Sequence, residues 1–315
     1  EDTEVVVCEL GMNHPNAIER MARACAPTLG VITNVGTSHI GLLGSRENIA
    51  RAKAELVGAL VPHGSLTPAL ALTSAGDFTD FIVGGFARPA GVDVALVGSG
   101  PSDAVRATGV KLDDEGRAAL ELTCSDGWSR PVRLPVPGKR VVDDLLLAVA
   151  VVWRLGLDRG ACVDAIERMS APRMRLEVRD APSGVRVIDD SYNAAPASMA
   201  SSLDVLRSMS CAGRRVAVLG EMGELGREAA RLHGYVGAYA ASTAPDLLVL
   251  VGDALADEMA EAARTMGLSE DAIERFDSAQ AALDVMGPVL AAGDLVLVKA
   301  SRAAGLDGFV RGVLA

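Results

Sequence analysis

Glu9, His39 and Lys53 are the first residues along the chain whose types and surroundings could do chemistry. A carboxylate and an imidazole can ligate a cation or carry a proton, and a lysine in a desolvated place is an unusually reactive amine. Glu9 closes the apolar run at 4–10 (EVVVCEL). His39 stands in the Gly- and Ser-rich stretch at 33–55 (TNVGTSHIGLLGSRENIARAKAE). Within that stretch Ser45 is a candidate N-cap, although Asn48 rather than Glu or Gln follows three residues later. A helix is expected next, with Ile49, Ala52, Leu56 and Leu60 on one stripe. Lys53 falls on the same inward stripe, where a charge is costly unless it is used or changed. The ordinary reading of such a lysine is that it snorkels along its stem to water. Its position after a His-bearing loop at the C-terminal end of a strand favours a ligand site, because open α/β sheets bind ligands there. Further on, Asp189-Asp190 and Lys299 also end apolar runs, and each taken alone reads as a solvated strand end.

Bringing such residues together requires strands that finish at one edge. The pattern predicts strands at 4–10, 29–34, 69–73 and 92–97, with a helix at 16–26. From 109 to 134 the period becomes that of antiparallel strands, with turn signals at 113–116 and 125–127, so a hairpin or meander is expected. Helices follow at 142–155 and 158–169, and Ala171-Pro172 marks a boundary between domains at 1–170 and 171–315. The second half repeats the βα rhythm. Strands are expected at 185–189, 215–219, 247–251, 273–276 and 295–299. Helices are expected at 198–208, 228–241, 254–266, 279–291 and 305–314. The fold class is therefore α/β, with a parallel-sheet first domain and a doubly wound, Rossmann-like second sheet of about five strands. The stretch GEMGELG at 220–226 has the wrong glycine spacing for a dinucleotide fingerprint and is set aside as a cofactor box.

Composition narrows the classes. The net charge of −11 argues against a nucleic-acid-binding surface, though a local basic pocket for a small anion can coexist with it. Cys8, Cys25, Cys124, Cys162 and Cys211 are scattered and form no CxxC, which reads as the reduced thiols of a cytoplasmic protein. No apolar run is long enough to span a bilayer, and no signal peptide is visible.

Several stretches then act together. ELGMNHPNAIE, ITNVGTSHIGLLGSRENIARAKAEL, APRMRLEV, VIDDSYNAAPASM, VLGEMGELG and VLVKASR occur in this order and resemble the Mur ligases over essentially the whole chain. Within that family, GMNHP and DSYNAAPASM are most similar to members that add D-alanyl-D-alanine to UDP-N-acetylmuramoyl-tripeptide in peptidoglycan synthesis. The resemblance implies a central ATPase-type domain followed by a Rossmann-like domain, with ATP and Mg2+ as cofactors and an acyl phosphate intermediate. It places Glu9, His39 and Lys53 at the magnesium ligands, with Lys53 carried as a carbamate. That modification would turn a costly buried ammonium into an anion facing a hard cation. It places Arg175 and Asp190 at positions that reach ATP, the arginine through phosphate and the aspartate through ribose. Tyr192 and Asn193 lie beside them, and Lys299 and Ser301 lie near the acyl phosphate and incoming amine.

The chain also departs from the family. It contains no GxxxxGK[ST] loop, whose backbone N–H groups cradle a triphosphate, so the 315-residue polypeptide reads as part of a longer protein. By itself it is expected neither to bind ATP tightly nor to ligate. After the Pro-Gly turn the family carries HNxxN. Here Asp144 stands where an asparagine that helps bind adenine is expected, and an ionised aspartate cannot donate. Ala300 replaces the usual glycine after the C-terminal lysine. The competing expectations are a related Mur or folylpolyglutamate-type ligase with another amine donor, and a degenerate ligase kept as a scaffold.

Overall fold

The computed structural model describes residues 3–315. The chain divides into two compact units. One holds residues up to 109 together with 121–131 and 143–164; the other holds 110–120, 132–142 and 165–315.

In chain order the first half forms α1 (Ala17–Cys25), β1 (Leu29–Ile32), α2 (Ile40–Leu43), α3 (Arg46–Ala54), β2 (Ala69–Thr73), α4 (Thr79–Ile82) and β3 (Asp93–Gly98). The meander follows as β4 (Val105–Leu112), β5 (Arg117–Cys124) and β6 (Ser129–Pro137), then α5 (Val141–Arg154) and α6 (Arg159–Glu167). The sheet order is β1-β2-β3-β4-β5-β6, with β1, β2 and β3 parallel and each paired to the next. The division between units runs through the meander, whose residues 110–120 and 132–142 group with the second unit. The strand expected at 4–10 is not formed. Residues 3–10 carry no sheet pairing, and Val6 and Val7 are 74% and 91% exposed. A β-branched run favours extended backbone, but a strand also needs a ladder partner and a face to bury, and this run has neither here.

The N-cap reading of Ser45 holds, since its side chain accepts from Asn48 N–H. The helix stops at Ala54 and a 3-10 turn spans Val57–Ala59, so Leu60 leaves the predicted stripe and is extended. Gly58 and Pro62 are poor carriers of a continuing helix. Glu55, at the end of α3, accepts from the backbone N–H groups of Asn16 and Glu19 at 2.7 and 3.2 Å and so caps α1 with a carboxylate.

The second unit contains β7 (Glu177–Asp180), β8 (Arg186–Asp189), α7 (Pro196–Ser208), β9 (Arg215–Gly220), α8 (Ala229–Thr243) and β10 (Leu247–Val251). It continues with α9 (Ala254–Thr265), β11 (Ile273–Phe276), α10 (Ala279–Met286), β12 (Leu295–Lys299) and α11 (Asp307–Val313). The order β11-β10-β9-β12-β8-β7 comprises the five expected parallel strands plus β7, antiparallel on β8 at the edge. Val187, Val216, Val218, Val249, Val296 and Val298 are fully buried in one core cluster, closed by Phe309 and Val310 of α11 and Met286 of α10. Such all-apolar strands are what a sheet covered on both faces requires. Because β12 lies between β9 and β8, the chain reverses its direction of winding there. Ligands bind at the carboxyl ends of strands flanking such a reversal.

Candidate functional site

In the first unit, β1 leads into the loop at 33–39, which closes on His39 with φ of 64° ahead of α2. Arg46, the first residue of α3, fastens this loop. Its Nη2 donates to Val35 O at 3.0 Å and to Asp77 Oδ2 at 2.7 Å, and its guanidinium lies over the Phe78 ring. Lys53 is half-buried near the other end of α3. Burial alone pulls its pKa below that of an ordinary lysine, and no carboxylate opposes the shift. That setting suits the neutral amine a carbamate needs. Glu9 is exposed on the unpaired segment 3–10. The described residues contain no cluster of three or more His, Cys, Asp or Glu side chains arranged to hold a metal. Asp144 lies in the first turn of α5 with its outer face open to solvent. Crowded surroundings and the Asp143 charge push its carboxyl above the usual range.

The second unit gathers its candidates more tightly. Lys299 ends β12 and is only 2% exposed. Its ammonium donates to Asp190 Oδ2 at 2.6 Å and to Asn193 O at 2.9 Å. Asp190 follows β8, and its N–H donates to Val298 O, which ties the β8 end to β12. Lys299 lies below the ordinary lysine pKa: burial lowers it most, Asp190 opposes that only in part, and the Arg175 charge lowers it further. The Arg175 guanidinium carbon lies over the Tyr192 ring, 4.4 Å from its centroid, and Tyr192 N–H donates to Met174 O. Met174 and Leu176, either side of Arg175, both have positive φ, a tight backbone that presents the arginine. Ser301 opens a 3-10 turn after β12; its N–H donates to Glu221 O, and its hydroxyl makes no capping bond. Arg175, Asp190, Tyr192, Asn193 and Lys299 thus meet at the carboxyl ends of β8 and β12. Asn193 takes part through its carbonyl, while its side-chain oxygen accepts from Ala194 N–H.

Sequence reasoning missed several partners. Ser202, on α7, donates to Asp190 Oδ2 at 2.6 Å. Asp189 turns inward to Ser191, accepting from its hydroxyl at 2.6 Å. The GEMGELG loop is held by buried His233, whose Nε2 accepts from Met222 N–H at 2.9 Å while Nδ1 meets Ala229 O at 2.7 Å. That pattern fixes the neutral tautomer, and burial keeps the ring below its usual pKa. Gly220, where the loop begins, stands so close to β12 that a Cβ there would lie 2.7 Å from the Ala300 Cβ. One compositional signal could have raised both lysines: the chain has four lysines against twenty-six arginines, and Lys53 and Lys299 are two of the four.

Among the described residues no helix is long and apolar enough to cross a membrane. Residues 1–152 match the Mur ligase middle domain, and residues 174–302 match the Mur ligase glutamate ligase domain. The chain is 35% identical to the UDP-N-acetylmuramoyl-tripeptide--D-alanyl-D-alanine ligase of Mycobacterium tuberculosis (strain CDC 1551 / Oshkosh), over 99% of this chain and 63% of that protein. It is 29% identical to the ligase of the same name from Bacillus subtilis (strain 168), over 100% of this chain and 65% of that one. The chain therefore spans a little under two thirds of these relatives' length. Among solved structures it is similar to MurF from Acinetobacter baumannii, with a TM-score of 0.83, 29% identity, and 98% of this chain and 64% of the other covered. A MurF ligase from Thermotoga maritima in complex with ADP has the same fold, with a TM-score of 0.78 at 21% identity over 97% of this chain and 66% of that one.

Proposed function

Because this chain belongs to the Mur ligase family, we propose that it supplies the middle and C-terminal domains of an ATP-dependent, cytoplasmic ligase that joins D-alanyl-D-alanine to UDP-N-acetylmuramoyl-tripeptide in making peptidoglycan precursors. The observation that carries this reading is the buried ammonium of Lys299, fixed by Asp190 and Asn193 beside Arg175 at the reversal point of the second sheet. In the proposed reaction the tripeptide carboxylate takes the γ-phosphoryl group of ATP. The dipeptide amine then attacks the acyl carbon and phosphate leaves. Phosphorylation is needed because a carboxylate oxygen is a poor leaving group.

The residues suit these steps. Arg175 has the fork geometry to bind phosphate bidentately, and the Tyr192 face restrains it. Lys299 has three N–H donors and spends two inside the fold, which leaves one for an oxygen of the acyl phosphate. The Ser301 hydroxyl is available to the same group, and Tyr192, Asn193 and Asp144 are the proposed neighbours of the nucleotide. Glu9, His39 and Lys53, the last as a carbamate, are the proposed holders of magnesium, which when bound would neutralise charge on the phosphoryl group.

The dipeptide reading is tested by calorimetry with a panel of amines. Saturable binding of D-alanyl-D-alanine, with none for free D-glutamate or diaminopimelate, is the expected result; the reverse preference overturns it. Since the chain carries no GxxxxGK[ST] cradle, ATP is expected to bind it more weakly than micromolar. A micromolar dissociation constant for this polypeptide would refute that expectation.

A further inference from the structure

Asp190 Oδ2 accepts two hydrogen bonds at once, from Lys299 Nζ and from Ser202 Oγ, each at 2.6 Å. Ser202 Oγ also lies 2.8 Å from Ser198 O, and a hydroxyl has one proton to give. With Asp190 ionised, that proton points at the carboxylate, because two oxygen lone pairs facing each other at 2.6 Å would repel. Asp190 Oδ1 accepts from Leu176 N–H at 3.2 Å. Three of a carboxylate's roughly four acceptor directions are therefore spent within the fold. The groups facing Lys299 are Asp190, the Asn193 carbonyl and the repelling charge of Arg175. The neighbouring Asp189 carboxylate is turned to Ser191 instead.

We propose that Asp190 and Ser202 are positioning residues for Lys299. Asp190 aims the remaining Lys299 N–H, and Ser202 sets how readily Lys299 gives up its proton. What that N–H meets rests on the ligase reading above; the network itself rests on the geometry. The sign of the Ser202 effect follows from charge. While Lys299 is an ammonium, the Asp190 carboxylate is neutralised by it. Once Lys299 is an amine, the buried carboxylate depends far more on its other donors. Removing the hydroxyl therefore destabilises the deprotonated pair more than the charged pair, and Lys299 holds its proton more firmly. Removing the Asp190 charge does the opposite, since a buried ammonium then lacks its counter-ion.

The test uses the chain labelled with 13C at lysine Cε, which gives four resonances. These are assigned by Lys53→Arg, Lys111→Arg and Lys139→Arg, and followed by NMR from pH 6 to 11. Ser202→Ala is expected to raise the Lys299 midpoint by roughly 0.5 to 1 pH unit. Asp190→Asn is expected to lower it by about one unit or more. Loosened packing alone would move both midpoints the same way, towards that of a free lysine. An unchanged midpoint in Ser202→Ala, or shifts of both variants in one direction, overturns the proposal. If Asp190→Asn fails to fold, the Ser202→Ala midpoint decides. Adding D-alanyl-D-alanine to the wild-type sample separates the two layers. A Lys299 resonance that ignores the dipeptide counts against the ligase reading, whereas opposite midpoint shifts in the variants stand for the network by themselves.

Discussion

Lys53 and Lys299 are both withdrawn from water, one in each unit, and their settings differ in one respect. Lys299 has a carboxylate at 2.6 Å; Lys53 has burial and no opposing charge. The first arrangement aims the ammonium and offsets part of the burial that lowers its pKa. The second favours the neutral amine, the form that can be modified or can act as a nucleophile. A lysine kept out of water is thus held in one direction when an acid stands beside it, and left to burial alone when none does.

The comparison can be broken by exchanging the settings. Lys299→Met leaves the Asp190 carboxylate buried and unpaired, and should cost about 3–5 kcal/mol in urea denaturation followed through the second unit. A loss well under this would mean that the pair contributes no more than an exposed bridge. Lys53→Met removes a half-buried charge that has no counter-ion. It should change stability by less than about 1 kcal/mol, in the stabilising direction, and abolish any 13C carbamate signal formed with labelled bicarbonate. A large destabilisation would reveal a partner that the present arrangement lacks.

A smaller effect sharpens the same contrast through pH. The folded-state pKa of Lys53 is depressed, so the unfolded chain binds more protons between that value and about 10.4. Stability should therefore rise with pH across that window, and the slope should flatten in Lys53→Met. His233 gives the acid counterpart. Its ring is kept neutral below its ordinary pKa, so stability should fall as pH drops from about 6.5 towards its folded value, while the Met222 N–H···Nε2 bond is lost. Denaturation midpoints between pH 5 and 7, wild type against His233→Gln, check this.

The second unit was the more legible of the two in the sequence. LLVLV and LVLVK are continuous apolar runs bounded by turn residues, and a strand buried on both faces leaves just that trace. β7 left none, because EVRD is a charged edge strand with its side chains half in solvent. The run EVVVCEL misled for the converse reason: composition reports a capacity for pairing, and pairing depends on a neighbour. Lys299 and Asp190 could be named from their strand ends, whereas Ser202 lies on a helix surrounded by other small residues and meets Asp190 only through folding. The apolar stripe runs on past Gly58 in the sequence, but α3 stops at Ala54 and a 3-10 turn follows.

A Cβ at Gly220 would lie 2.7 Å from the Ala300 Cβ, with Leu306 Cδ1 and the Ala304 Cβ next at 3.3 and 3.4 Å. Substitution across this pair is consequently ordered: the shortest of these contacts disappears only if residue 300 first becomes glycine, after which Leu306 and Ala304 need give by only a few tenths of an ångström. A laboratory lineage carrying Gly220→Ala should survive when Ala300→Gly was fixed beforehand and fail in the opposite order. The contemporary alanine is in that sense a one-way gate on which substitutions the loop after β9 can sample next.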